Sequence, residues 1–393
     1  MKKILCVCAV IMVTAAAGKD AVSEQVLFRA GEGGYFGYRI PALVVTKTGS
    51  LLAFCEARKG SLSDSGDIDT VLRRSTDGGR TWSPMQVVAD AGPDVCGNPC
   101  PVVDRDSGTI LLPLTQNKGD GPEPKILKGE APPRTVWLTK SSDDGQTWSP
   151  PVEISARTRR PDWRWYATGP GHGIQLRSGR IVIPCDHSTG PENDLWHSHI
   201  IYSDDAGASW QIGGVLDGRT NECIAVELHD GRVYLNMRNY RNTRLRAVST
   251  SADGGLTWTP AADDPGLAEP VCQASAVRYS TNVVLFSNPA STKRENMTIK
   301  LSYDECQTWP VAKTLHAGPA AYSDLAVLPD NTVACLYECG DKSPYETITL
   351  ALFDLAWLTG SVGADVSPAP SSPLAMEHHS RNQLHTRLTR LLG

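Results

Sequence analysis

The sequence lacks several features that mark common classes of protein. Its 393 residues have a formal net charge of only −5, so no basic excess favours nucleic acid or another polyanion as a partner. No CxxC…CxxC arrangement is present, which argues against a zinc site. No long stretch before the C-terminus has the apolar periodicity of an amphipathic helix. The 35 glycines and 27 prolines suit many short strands joined by turns instead.

A short phrase occurs five times in the chain. Its pattern is Ser-x-Asp-x-Gly-x-Thr/Ser-Trp, and successive copies begin 48 to 66 residues apart. The copies are STDGGRTW (75–82), SSDDGQTW (141–148), SDDAGASW (203–210), SADGGLTW (251–258) and SYDECQTW (302–309). Only the last copy lacks the glycine, because Cys306 stands in its place. Recurrence at this spacing is typical of propeller blades.

Each phrase has the composition of a hairpin turn. The Ser and Asp side chains can bond to nearby backbone N–H groups, and the glycine can adopt a positive φ. A strand-like run precedes each copy, and the tryptophan that ends it is suited to packing between sheets. A calcium loop is the alternative, but such loops need more closely spaced oxygen ligands and usually a bidentate Glu. We therefore interpret the phrases as structural turns.

The two ends of the chain differ from its middle. Lys2 and Lys3, an apolar run and a small-residue site predict a secretory signal peptide over residues 1–18, with an uncleaved anchor as the alternative. No membrane span is expected once the signal is removed, and the protein is predicted to be secreted or periplasmic. Residues 361–393 form a Pro/Ser-rich linker and a basic tail, which could be frayed, dock a partner or lie on a membrane surface. One catalytic domain is predicted over residues 19–360.

Nine cysteines remain after the signal peptide, and an odd number cannot all pair within one chain. Cys96 and Cys100 are four residues apart, as are Cys335 and Cys339. These pairs could form disulfides, but buried thiols within strands are equally compatible with the sequence.

The phrase Tyr38-Arg39-Ile40-Pro41, together with the five repeated turns, resembles the exo-α-sialidases (neuraminidases), in which such turns are called Asp boxes. The resemblance covers roughly residues 24–358. It implies an all-β fold, a six-bladed β-propeller of four-stranded antiparallel sheets. It also implies a glycoside hydrolase that acts on sialylated glycoproteins, glycolipids or oligosaccharides. Neither a metal nor an organic cofactor is expected.

Other phrases match the same family in chain order and supply candidate site residues. They are Arg58 in Glu56-Ala57-Arg58, Asp64 before the run 68–74, Asn98 in Asn98-Pro99-Cys100-Pro101, His172 in the segment 168–173, Glu222 after Asn221, Arg238 in the segment 235–239, Arg294, Tyr322 in the segment 321–324, and Glu338 after Tyr337.

The resemblance implies roles that the chemistry of a sialic acid explains. Arg39, Arg238 and Arg294 would bind its carboxylate, since guanidinium groups can hold a carboxylate bidentately. Glu338 would offset the charge of Arg39 and fix its rotamer. Arg58 and Asn98 would contact polar groups of the sugar.

The nucleophile implied by the resemblance is Tyr322. A neutral phenol avoids the repulsion that a carboxylate nucleophile would meet beside an anionic sugar. Glu222 would take the phenol proton, because a phenol is a weak nucleophile at its ordinary pKa of about 10. Asp64 would protonate the leaving oxygen and later activate water, which predicts retention of configuration. Asp67 and Asp69 are nearby alternatives for that acid.

Other functions remain open at this stage. A trans-sialidase or an intramolecular trans-sialidase would use the same residues. A non-catalytic carbohydrate-binding propeller is disfavoured, because Tyr322, Glu222 and Asp64 are all present. Release of free sialic acid from a fluorogenic α-sialoside would separate these classes.

Overall fold

The computed structural model of the protein describes residues 22–360, so the predicted signal peptide and the basic tail lie outside the described residues. Strands dominate this range, and all but one of their pairings are antiparallel. They form six successive blades, each of four strand positions. The prediction of an all-β, six-bladed propeller is confirmed.

The strands follow one another blade by blade. Strand β1 is Ser23–Arg29. Blade 1 contains β2 (Gly37–Val45), β3 (Leu51–Arg58), β4 (Ile68–Ser75) and β5 (Gln86–Ala89). Blade 2 contains β6 (Val95–Gly97), β7 (Val102–Val103), β8 (Ile110–Asn117), β9 (Thr135–Ser141) and β10 (Val152–Glu153). Blade 3 contains β11 (Tyr166–Thr168), β12 (Ile174–Gln175), β13 (Ile181–Ser188), β14 (Trp196–Ser203) and β15 (Gln211–Val215).

The second half of the chain continues in the same way. Blade 4 contains β16 (Thr220–Glu227), β17 (Val233–Asn239), β18 (Leu245–Ser251) and β19 (Ala262–Ala268). Blade 5 contains β20 (Ser275–Ser280), β21 (Val283–Pro289), β22 (Glu295–Ser302) and the first half of β23 (Val311–Val327). Blade 6 contains the second half of β23, then β24 (Val333–Cys339), β25 (Thr347–Phe353) and β1. The helices are short: α1 (Glu123–Lys128), α2 (Ser155–Thr158), α3 (Leu355–Thr359) and one 3-10 turn (Asn193–Leu195).

Two features close the ring. The long strand β23 pairs with β22 up to Pro319 and with β24 from Ala320 onward, so it is the outer strand of blade 5 and the inner strand of blade 6. Strand β1 pairs antiparallel with β25, from Ser23 opposite Leu352 to Arg29 opposite Thr347. The first and last strands of residues 22–360 therefore share a blade, which leaves no long exposed edge there.

The five Asp boxes join the third and fourth strands of blades 1 to 5, and blade 6 has none. In the first box, the Ser75 hydroxyl accepts a hydrogen bond from the Gly79 N–H (2.8 Å), and Asp77 Oδ1 accepts one from the Thr81 N–H (2.9 Å). In the last box, Cys306 adopts a φ of 67°, although a side chain there is strained. These local bonds close the turn and show why the phrase recurs.

Apolar side chains from facing blades form the core. One cluster includes Leu43 and Ala53 of blade 1 and Leu336 and Leu350 of blade 6, with the box residue Trp82 packed against it. The other four box tryptophans each contact a different cluster, at Trp148, Trp210, Trp258 and Trp309. The boxes thus stabilise contacts between blades.

The nine cysteines within residues 22–360 are all buried free thiols, so neither close pair forms a disulfide. Burial raises the pKa of the Cys100 thiol. No helix within residues 22–360 has the length and apolar character needed to cross a membrane.

Candidate active site

Irregularities in the inner strands create the site. Three inner strands contain a bulge in which two residues face one on the neighbouring strand: residues 40–41 opposite Cys55, 221–222 opposite Arg238, and 321–322 opposite Glu338. In blades 2 and 3 the inner strand is interrupted instead, between β6 and β7 at Asn98 and between β11 and β12 at His172. Bulges re-aim side chains and are common next to active sites. Five of the phrases matched by resemblance, those of Arg39, Asn98, His172, Glu222 and Tyr322, coincide with such an irregularity.

Tyr322, Glu222 and Arg238 are in direct contact. The Tyr322 hydroxyl donates a hydrogen bond to Glu222 Oε1 at 2.5 Å. Arg238 Nη1 donates to Glu222 Oε2 at 2.8 Å and to the Tyr322 oxygen at 3.1 Å. Burial, followed by the negative charge of Glu222, raises the pKa of Tyr322, although Arg238 and Arg294 act against this shift. The phenol is therefore protonated at rest and already bonded to a carboxylate that can accept its proton.

Arg39 is held by a fully buried carboxylate. Its Nε donates to Glu338 Oε1 at 2.9 Å and its Nη2 to Oε2 at 3.3 Å. Glu338 also accepts the backbone N–H groups of Ile40 (2.9 Å) and Tyr322 (3.1 Å). Burial disfavours the Arg39 cation, but Glu338, Tyr322 and Tyr345 together outweigh it, and the pKa of Arg39 is raised. One carboxylate thus connects the bulge in β2 to the bulge in β23.

Arg294 completes a set of three guanidinium groups around Tyr322. Its Cζ lies 5.6 Å from the centroid of the Tyr322 ring, and that of Arg39 lies 5.0 Å from it. Arg294 Nη1 donates to the hydroxyl of Tyr345 at 2.6 Å, while Arg39 stacks over the Tyr345 ring at 4.3 Å. Within residues 22–360, Arg294 forms no salt bridge. Its positive charge is available to an anion.

Asp64 lies in the loop between β3 and β4, within range of the charge of Arg39. Arg58 Nη2 donates to Asp64 Oδ1 at 2.7 Å and to Glu56 Oε2 at 2.5 Å. The Asp64 side chain is 54% exposed, whereas those of Arg58 and Glu56 are buried. Burial would raise the pKa of Asp64, but the charges of Arg58 and Arg39 lower it below its ordinary value. Asp64 is therefore ionised in this structure.

Asp67 and Asp69, the alternatives to Asp64, lie where the loop between β3 and β4 ends and contact Lys59, where the loop begins. Lys59 Nζ lies 2.9 Å from Asp67 Oδ1 and 3.3 Å from Asp69 Oδ2. Asp69 is 1% exposed and accepts the Tyr35 hydroxyl at 2.6 Å. Both acids thus have structural partners that fix the loop.

Asn98 is oriented by Arg134, Thr115 and Glu56. Its Oδ1 accepts bonds from Arg134 Nη1 (2.7 Å) and Thr115 Oγ1 (3.1 Å), and its backbone N–H donates to Glu56 Oε1 (2.8 Å). Arg134 is buried and its Cζ stacks 4.1 Å from the centre of the Trp165 ring. The amide oxygen of Asn98 therefore already accepts two hydrogen bonds from protein side chains.

His172 and the aromatic segment 163–166 lie deeper than the site. His172 Nδ1 lies 2.8 Å from Asp324 Oδ1, in a buried ion pair. Trp163 stacks on His187 with ring centroids 3.5 Å apart. Trp163, Trp165 and Tyr166 are buried, so this cluster has a structural role.

Sequence reasoning missed four residues at the site: Glu56, Arg134, Asp186 and Tyr345. Glu56 carried a usable signal, because residues two apart in a strand share a face and Arg58 was already a candidate. Tyr345 and Arg134 lie outside strands and match no phrase. Only the fold brings them to the arginines and Asn98.

The comparisons with known proteins agree with this geometry. A BNR repeat-like domain matches residues 49–335. The chain is 36% identical to a sialidase of Micromonospora viridifaciens, over 87% of this chain and 55% of that protein. It is 31% identical to an exo-alpha-sialidase of Aspergillus fumigatus, over 83% of this chain and 86% of the relative. The chain thus spans little more than half of the bacterial relative but most of the fungal one.

Solved structures give the same answer. The microbial sialidase Hz136 superposes with a TM-score of 0.77 at 33% identity, over 85% of this chain and 69% of that one. A leech intramolecular trans-sialidase superposes with a TM-score of 0.75, over 86% of this chain and 71% of that one. Because the two chains are only 18% identical, this similarity shows the fold and nothing further. From the repeats, the propeller and these relatives, we conclude that the chain belongs to the sialidase family.

Proposed function

We propose that this protein is a retaining exo-α-sialidase that hydrolyses terminal α-linked sialic acids of glycoproteins, glycolipids or oligosaccharides. One observation carries the proposal: the Tyr322 hydroxyl is bonded to Glu222 at 2.5 Å within a ring of three arginines. Few substrates require a phenol, a base and an anion pocket together. A glycoside whose anomeric carbon bears a carboxylate is one that does.

Substrate binding begins with that carboxylate. Arg294 has no carboxylate partner within residues 22–360, while Arg39 and Arg238 each have one. An incoming anion would therefore gain most from Arg294 and share the other two guanidinium groups. Binding in this pocket places the anomeric carbon near the Tyr322 oxygen.

The chemical steps balance through three side chains. The Tyr322 oxygen bonds to the anomeric carbon as its proton passes to Glu222, and Asp64 gives a proton to the departing glycosidic oxygen. Asp64 then takes a proton from water, whose oxygen attacks the anomeric carbon. The phenolate leaves and recovers its proton from Glu222. Two displacements return the original anomeric configuration.

Asp64 must be protonated to act as the acid, yet the charges of Arg58 and Arg39 lower its pKa. A bound sugar would exclude water from the exposed carboxyl and place a second carboxylate nearby. Both effects raise a carboxyl pKa. The acid is thus expected to form as the substrate binds.

The predicted signal peptide supports action outside the cytoplasm, on the glycoconjugates of cell surfaces or secretions. This assignment can be checked by expressing the chain with and without residues 1–18 and locating the product.

The proposal is tested with a fluorogenic aryl α-sialoside followed by NMR. Hydrolysis with retention should give the α-anomer of free sialic acid first, before mutarotation. A 2,3-difluoro sialic acid should leave its added mass on the peptide that contains Tyr322. A β-anomer as first product, or label on another peptide, would refute the mechanism. An anhydro product or transfer to an added sugar would assign the chain to the trans-sialidases instead.

A further inference from the structure

Asp186 is a buried carboxyl beside the catalytic cluster that the proposed chemistry leaves unused. It lies on β13 and is 1% exposed. Its Oδ2 accepts a hydrogen bond from Asn221 Nδ2 at 2.8 Å. Its Oδ1 is buried and has no hydrogen-bond partner in the structure. Within residues 22–360, no cationic group forms a salt bridge with it.

Asn221 is the first residue of the bulge that presents Glu222. Its Oδ1 accepts the hydroxyl of Tyr240 at 3.1 Å, and its backbone carbonyl accepts the hydroxyl of Ser198. The bulge in blade 4 is therefore held between Asp186 of blade 3 and Tyr240 at the end of β17. The direction in which Glu222 points depends on this bridge.

The charge state of Asp186 follows from its surroundings. A buried carboxylate without a cationic partner is costly, so such a group takes up a proton instead. Glu222 faces it from β16 and Glu123 from α1, and both are acidic; Arg238 and Arg134 act in the opposite direction. Burial and then Glu222 dominate, and the pKa of Asp186 is raised well above its ordinary value.

We propose that Asp186 is a neutral positioning acid that holds Asn221, and through it the general base Glu222, without adding a second negative charge to the site. The positioning role rests on the proposed function, because it assigns Glu222 as the base. The unpartnered Oδ1 identifies where the proton or a bound water is placed. A neutral acid at this point keeps the arginine pocket open to an anionic substrate.

Asp324 provides a matched control in the same protein. It is also fully buried, but it accepts bonds from the Leu43 N–H (2.7 Å), the Ser275 hydroxyl (2.7 Å) and His172 Nδ1 (2.8 Å). Donors of this kind favour a carboxylate over a neutral acid, and Asp186 Oδ1 accepts from none. The infrared bands of the two buried aspartates should therefore differ.

The charge state is tested by infrared difference spectra of the full-length protein at neutral pH. The parent minus Asp186→Asn should contain the C=O band of a protonated carboxylic acid, and the parent minus Asp324→Asn the bands of a carboxylate. Should Asp324→Asn fail to fold, Asp64→Asn supplies the carboxylate reference. Carboxylate bands for Asp186 would overturn the proposal, whatever the activity of the enzyme.

The positioning role is tested by kinetics on the aryl sialoside. Asp186→Ala should lower kcat about tenfold with little change in KM, the effect of losing one hydrogen bond that orients the base. Asp186→Asn should recover part of this loss, because an amide is close in shape to a neutral acid. Equal losses in the two variants, or a change in KM alone, would refute positioning. If the parent releases no sialic acid, the proposed function fails while the infrared result still stands.

Discussion

The two ends of the blades are built in different ways. At one end, the turn of each Asp box is closed by bonds between residues at most four apart, such as Ser251 Oγ with the Gly255 N–H at 2.8 Å. At the other, Glu338 connects Arg39 and Tyr322 across 299 and 16 residues of sequence. Strand β4 separates the ends in blade 1: Ile68 pairs with Arg58 beside the site, and Ser75 leads into a box. Its eight residues place the box about 25 Å away.

This difference predicts how each end responds to mutation. A box depends on its own few bonds, so a change there should cost stability without altering activity. The catalytic end depends on charges that compensate one another across blades. A single change there should reduce activity strongly while the propeller survives.

Tyr322→Phe should give the largest effect. It removes the oxygen proposed as the nucleophile but keeps the ring that Arg39 and Arg294 surround, so kcat on the aryl sialoside should fall roughly 10³-fold or more. Tyr337→Phe is the matched control, because its hydroxyl bonds to Glu24 at 2.7 Å on the other side of the blade. Comparable activity in the two variants would remove Tyr322 from the mechanism.

Arg39→Ala should come next. Losing one charge-assisted contact to the carboxylate, and leaving Glu338 buried without its cation, should cost about 2 to 4 kcal/mol in transition-state stabilisation. Steady-state kinetics should show this as a fall in kcat/KM of about 30-fold or more. Arg180→Ala, which breaks the Arg180–Asp204 pair near a box, should leave kcat/KM unchanged. Activity within twofold of the parent for Arg39→Ala would contradict the arginine assignment.

Asp64→Ala should affect substrates unequally. Natural sialosides need a proton on the leaving oxygen and should lose roughly 10²-fold or more, whereas activated aryl sialosides need little protonation and should lose much less. The ratio of kcat/KM in the variant to that in the parent, determined on each of the two substrates, measures this difference. Equal losses would move the acid role to Asp67 or Asp69.

Stability should fall as the pH drops below about 6.5, the ordinary histidine value. Behind the site, His187 Nδ1 and His199 Nδ1 face each other at 3.0 Å, and burial lowers the pKa of both. The unfolded chain therefore binds more protons than the folded one below that pH, and acidification favours unfolding. Urea titrations should show that the free energy of unfolding falls less between pH 7 and pH 5 in His187→Asn than in the parent. An equal fall in the free energy of unfolding in both proteins would exclude the His187–His199 pair as the cause of the acid sensitivity.

Ser251→Ala should give the smallest effect. It removes the hydroxyl that accepts the Gly255 N–H, which should lower the free energy of unfolding by about 1 kcal/mol. Urea unfolding measures the loss, and kcat/KM should equal that of the parent. A fall in kcat/KM would show that the boxes also shape the active site.

The box end could be predicted almost completely. The Ser, Asp and Gly positions act within one turn, so their chemistry is visible in eight consecutive letters. Even the exception was visible, since Cys306 occupies a position where φ is 67°. The candidate site was predictable only where a phrase matched a known family, as at Arg39, Glu222 and Tyr322. No residue pattern near Tyr345 indicates that its ring would stack against Arg39.

The sequence by itself determined the turns, the number of boxes and the strand-like runs that precede them, because these depend on neighbours within a few positions. The tertiary structure alone decided the bulges at residues 221–222 and 321–322, the free state of the nine cysteines, and the contact of Asp186 with Asn221. These features arise where strands from different blades meet. Their energies depend on burial and on charges brought together by the closed ring, which no local stretch of the chain contains.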